Sequence, residues 1–142
     1  MTIRKIAKLV RDQVEEDVAC GLDIVDNEAT LEGACGYASY GLCRMLPGST
    51  FVYGHFIHKG RPNGHAWVEY KNKIIDITAT QFGINSRILI TKKDGTRAKR
   101  YVAGRRGKDA IQDLKDWDYP DGWMQELPRR LKRKIKPLPK DK

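Results

Sequence analysis

No stretch of the chain approaches the roughly 18 consecutive apolar residues that a membrane-crossing helix needs, and the mean hydropathy of -0.60 agrees. The N-terminus lacks the apolar run and small-residue cleavage site of a secretory leader. Instead Met1-Thr2-Ile3-Arg4-Lys5 leads into an amphipathic segment with acidic residues. Cysteine is scarce. Cys20, Cys35 and Cys43 are odd in number and irregular in spacing, unlike the disulfide framework of a small secreted domain. Free thiols in a reducing, cytoplasmic compartment are the expectation. CxxC and HxxxH pairs are missing, His55 and His58 would point to opposite faces of a strand, and Gly104-Arg105-Arg106-Gly107 does not match a phosphate loop. Nothing therefore asks for a metal or a cofactor, and no internal repeat is found.

What is present is 142 residues, 40% hydrophobic and 32% charged, enough for one domain with a core and too apolar for wholesale disorder. The net charge of +9 is unevenly spread. Nine basic residues face one acidic residue in 87–108 and eight face one in 129–142, so these segments carry +8 and +7 and the remainder -6. Such segments attract an acidic protein or nucleic acid, and they read equally well as solvated faces and a tail. Lys and Arg alternating with isolated Leu and Ile cannot build a core. The expected organisation is one domain over 1–127 and a basic, flexible tail over 128–142.

Ile3, Ile6, Val10, Val14 and Val18 recur at helical spacing and predict a helix over 2–19, with Gly21 placed to end it. Cys35, Ala38, Leu42 and Met45 predict a second helix over 33–46, stopped by Pro47-Gly48. The period then changes. Segments 50–57, 65–70, 73–77 and 87–91 are rich in β-branched and aromatic residues between Gly, Pro and Asn signals. A further strand near 100–103 is expected to pair with 87–91 across Asp94-Gly95. Segment 108–127 carries Trp117, Tyr119 and Trp123, too much aromatic surface to leave in water. Helices first and strands after predict an α+β domain, helices packed on an antiparallel sheet.

If Lys71-Asn72 is a two-residue hairpin loop, Tyr70 faces Lys73, Val68 faces Ile75 and Trp67 faces Asp76. Alternation then sorts the side chains. Ala66, Val68, Tyr70, Ile75 and Ile77 share an apolar face, and His65, Trp67, Asp76 and Thr78 share the other. There His65 and Asp76 are diagonal neighbours, close enough for a hydrogen bond. A carboxylate beside an imidazole fixes its tautomer and stabilises the imidazolium. The nucleophile such a pair would serve is offered by Cys35, flanked by small residues in Glu32-Gly33-Ala34-Cys35-Gly36 at a helix start. That position favours a thiolate, and Glu32 opposes it. Singly, each residue has a plainer use: a core cysteine, a strand histidine, a turn carboxylate. Cys20 and Cys43 are expected to be packing residues.

Cys35 in its Gly-rich helix start, Leu46-Pro47-Gly48, Gly64-His65-Ala66-Trp67-Val68-Glu69 and Ile75-Asp76-Ile77-Thr78 together resemble the core of the transglutaminase-like proteins, within the wider papain-like cysteine hydrolase fold. The resemblance covers about 30–82. It implies a papain-like core and a Cys35-His65-Asp76 triad acting on an amide or ester carbonyl through a thioester. The papain branch is less similar, since it uses Asn as third member and a Gln before the cysteine. The Cys35 N–H can donate one oxyanion hydrogen bond, and Asn27 and Gln81 are the amides considered for the other. Trp67, Asn63 and Gln81 are the candidate substrate-binding residues, with Trp67 shielding the site and Asn63 in a loop over 60–64. Hydrolysis of an amide is the expected reaction. Transglutaminase-type amine transfer stays open, as does a non-enzymatic basic module binding nucleic acid or an acidic protein.

Overall fold

A computed structural model describes residues 1–117 and 119–136. Helix α1 (Ile3–Ala19) begins where the Thr2 hydroxyl accepts the Lys5 N–H, capping one of the donors a helix start leaves unpaired. It ends in a Schellman turn: Gly21, at φ +104°, lets Leu22 N–H reach the Asp17 carbonyl and its own N–H reach that of Val18. Helix α2 (Cys35–Met45) has no side-chain cap at Ala34. Its first turn is met instead by the distant Tyr119, whose hydroxyl accepts the Tyr37 N–H at 3.3 Å and donates to the Gly33 carbonyl at 2.9 Å.

Strands β1 (Thr50–His58), β2 (Arg61–Tyr70), β3 (Lys73–Asp76), β4 (Leu89–Lys92) and β5 (Tyr101–Arg106) are followed by α3 (Gly107–Leu114) and α4 (Trp123–Lys134). Among the described residues the fold is thus α+β, with four helices and one five-stranded antiparallel sheet in the order β4-β3-β2-β1-β5. Lys71 and Asn72 both hold positive φ, and Tyr70 pairs with Lys73 and Val68 with Ile75, the register expected of a two-residue hairpin. No described helix is long and apolar enough to cross a membrane.

Alternation along β2 and β3 separates two cores. Ala66, Val68, Tyr70, Ile75 and Ile77 pack with all four helices. Trp67, Val52, Phe56, Ile74, Leu89, Ala98 and Tyr101 form a second cluster on the other side. That second face explains one departure from the sequence reading. The expected partner of β5 was β4, yet β5 pairs with β1 at the far edge. After Asp94-Gly95 the chain makes a 3₁₀ turn (Arg97–Arg100) and crosses the sheet, bringing Ala98 and Tyr101 down on apolar side chains that a local hairpin would have left wet. Gly54 admits the crossing, since a Cβ there would collide with the backbone of Val102 and Gly104.

Three further expectations are corrected. Residues 61–64 are not a loop but the start of β2, joined to β1 by a tight turn at Lys59 and Gly60, both at positive φ. The boundary at 127/128 falls inside α4, where Leu127, Pro128 and Leu131 are buried, with Ile135 beyond. Spacing of three or four between those apolar residues gives the basic segment a buried stripe, so 128–136 belongs to the domain; residues 137–142 of the expected tail lie outside the described residues. Cys20, expected to be packed, is exposed at the end of α1. Trp117, Tyr119 and Trp123 do pack back onto the body.

Candidate active site

Beyond Val68 and Ile75 the β2–β3 ladder stops, and the strands part. The carbonyls near the gap are taken up by helices: the Ser39 hydroxyl of α2 donates to Ala66 O at 3.2 Å, and the buried Arg11 of α1 donates to Ile77 O at 2.7 Å. The start of α2 is thereby drawn to the sheet where His65 and Asp76 lie.

His65 and Asp76 are both 0% exposed, and Nε2 of the ring lies 2.7 Å from Asp76 Oδ2. Asp76 Oδ2 also accepts the Tyr101 hydroxyl at 2.7 Å, and Oδ1 accepts the Thr78 N–H at 2.9 Å and its hydroxyl at 3.4 Å. A carboxylate so supplied accepts the Nε2–H proton and leaves Nδ1 as the acceptor of the ring. Cys35, 7% exposed, lies near enough to this imidazole to act on its charge. Burial pulls the His65 pKa down, but the charge and hydrogen bond of Asp76, then Cys35, outweigh it and raise it from 6.5 to about 10. For Asp76 burial pushes upward, and His65, the Thr78 N–H and Tyr101 together hold it below the usual carboxylate value.

Two glycines set the position of the thiol. Gly33, at φ +100°, runs against the Ile24 carbonyl, where a Cβ would sit at 2.7 Å. Gly36 lies under Leu114 and Trp117, where a Cβ would sit 2.5 Å from Leu114 Cδ1 and 2.6 Å from Trp117 Cζ3. Around the imidazole, Phe82 approaches edge-on at 4.9 Å between centroids, and Trp67 lies tilted at 6.0 Å. Phe56 stacks on Phe82 at 4.4 Å and carries the Arg100 guanidinium over its ring.

Comparison with family models, curated proteins and solved structures finds no match to the chain. The site is accordingly read from its own atoms.

Of the residues expected in the site, Cys35, His65 and Asp76 come together. Gln81 reaches it differently from the expected oxyanion or substrate role: its Nε2 lies 3.1 Å from His65 Nδ1 and 3.2 Å from the Thr78 carbonyl, so it braces the ring. Trp67 is buried in the second core behind the imidazole, which leaves it no surface for a substrate. Asn63 uses its amide on the β1–β2 hairpin, donating to the Phe56 and Arg61 carbonyls. Asn27 accepts the Ala29 and Thr30 N–H groups with its Oδ1 in an exposed turn. Cys43 packs with its sulfur against Ser49.

Sequence reasoning missed Tyr101, Tyr53, Trp117 and Tyr119 as neighbours of the site. Tyr101 lay hidden in a basic segment whose sheet partner was misassigned. The others are brought in by packing between distant elements, for which no local spacing is a signal.

Proposed function

We propose that this chain is a cysteine-dependent acyl-transfer enzyme of the transglutaminase-like, papain-like type, hydrolysing an amide bond through a Cys35 thioester. The observation that carries the reading is the buried His65–Asp76 contact at 2.7 Å, with a cysteine at a helix start near enough to act on the charge of the ring. His65 takes the thiol proton while Asp76 stabilises the imidazolium, and Cys35 Sγ adds to the substrate carbonyl. The carbon–nitrogen bond breaks as His65 returns the proton to the leaving amine. Water, deprotonated by His65, then cleaves the thioester and releases the acid.

Limiting iodoacetamide added to the native protein across pH, with mass mapping of the three thiols, tests the site. Preferential labelling of Cys35 below about pH 7, lost in His65→Ala, is expected. Equal, slow labelling of Cys20, Cys35 and Cys43 overturns the reading. Ammonia release from a glutamine-bearing peptide without uptake of a labelled amine is expected of the hydrolase, and efficient amine uptake assigns transfer instead.

A further inference from the structure

One hydroxyl next to the residue that precedes His65 has no assigned work. Tyr53 stands on the helix-facing side of β1, in the register that sets it opposite Ala66 and sets His55 opposite Gly64. Its hydroxyl lies against Gly64, the residue before His65: a Cβ on Gly64 would sit 2.6 Å from that oxygen. Its ring meets Trp117 edge to face, centroids 5.1 Å apart. The same Trp117 ring covers Gly36, the residue after Cys35. Tyr53 therefore spans the seam, with its oxygen bordering the neighbour of the imidazole and its ring the partner of the neighbour of the thiol.

The other donors nearby are committed. Tyr119 donates to the Gly33 carbonyl, and Gln81 braces His65. The Tyr53 hydroxyl, half-buried, makes no hydrogen bond to any described residue. Burial first, and then the electrostatic influence of Cys35 and Asp113, raise its pKa, so it remains a proton-bearing donor at neutral pH. At the helix start, the Cys35 N–H precedes the intrahelical ladder and has no partner within the helix.

We propose that Tyr53 is the second oxyanion donor, a catalytic residue whose hydroxyl, with the Cys35 N–H, holds the substrate carbonyl oxygen. This rests on the acyl-transfer reading above. As the sulfur–carbon bond forms, the thiol proton goes to His65 and the carbonyl π pair moves onto oxygen, where the two donors meet it without giving up a proton. Collapse restores the carbonyl and expels the leaving group, which takes its proton from His65. A neutral, directional donor fits the carbonyl of a carboxamide or ester, because the charge it stabilises exists only in the tetrahedral state.

Two reactions at the same sulfur separate this role from the rest of the site. Iodoacetamide alkylates by displacement at a saturated carbon and forms no oxyanion, whereas p-nitrophenyl acetate acylates through one. In Tyr53→Phe, alkylation of Cys35 is expected to stay within about twofold of wild type while the p-nitrophenolate burst slows on the order of 10²-fold. Gly64→Ala, which keeps the phenol but displaces its oxygen, is expected to show the same selective loss. Acylation of Tyr53→Phe at the wild-type rate overturns the oxyanion role and leaves the triad standing, as does an equal fall in both reactions. A wild-type protein that is neither acylated nor preferentially alkylated at Cys35 overturns the acyl-transfer reading, and the role of Tyr53 with it.

Discussion

Asp76 keeps its charge in a fully buried position because donors from His65, Thr78 and Tyr101 converge on it. Removing that charge has two readable effects. In Asp76→Asn the imidazole loses the partner that raises its pKa, so Cys35 alkylation at pH 6–7 should slow on the order of 10²- to 10⁴-fold. The stability difference from wild type should also depend on pH. The His65 share of the pair's contribution is complete below its ordinary 6.5 and is lost as pH rises toward about 10. The Asp76 share is present above 3.8 and is lost as pH falls through its lowered value. Urea unfolding of the two proteins should therefore differ most between about pH 4 and 6.5 and converge toward pH 10. Tyr101→Phe removes one donor to the carboxylate. Asp76 should then protonate at higher pH, moving the acid limb of wild-type stability upward, at a cost of about 1–2 kcal/mol at neutral pH.

The elements that carry the site tolerate little change at their closest approaches. Gly36→Ala puts a methyl into the space of Leu114 and Trp117, side chains that can move. A loss of about 1–3 kcal/mol is expected, with Trp117 displaced and its fluorescence shifted toward that of an exposed indole. Gly54→Ala meets backbone instead and should detach β5, so that chemical denaturation loses cooperativity. At this scale much of the fold was legible beforehand. The period-three-and-four apolar residues of α1 and α2 and the Lys71-Asn72 turn carry local instructions, and the turn alone determines which side chains share a face with His65. The pairing of β5 with β1 was not legible, because Asp94-Gly95 is a good hairpin turn in isolation. Only the need to cover Trp67, Phe56 and Leu89 takes the chain elsewhere. The His65–Asp76 contact could be foreseen because both residues sit in one hairpin, and Cys35 could be placed because it stands at a predictable helix start. The aromatic surround of Cys35, drawn from β1 and the segment after α3, is set by packing that no short window records.

For the whole molecule, the opposed charges of body and late segments largely meet one another. Arg87 pairs with Asp12 and Glu15, Arg130 with Asp17, Lys134 with Glu16, and Arg106 with Glu69. The basic segments are thus partly clasps onto acidic residues of α1 and β2. These pairs are at least partly exposed, so single charge removals such as Lys134→Ala should cost less than about 1 kcal/mol. Loss of the apolar stripe beneath them is a different matter. A chain ended after Leu127 exposes the surfaces that bury Leu131 and Ile135, each contributing about 1.5–3 kcal/mol. It should unfold at a clearly lower urea concentration than the full chain, whereas a freely solvated tail would leave the midpoint unchanged.

The crossing of the chain from β4 to β5 has a consequence in time. During synthesis Cys35, His65 and Asp76 leave the ribosome before Tyr101, Trp117 and Tyr119, and the nascent polypeptide then lacks the late aromatic roof. Until the final third arrives Asp76 lacks the Tyr101 hydroxyl and the start of α2 lacks its contact with Tyr119, so order of manufacture decides when these surroundings are complete.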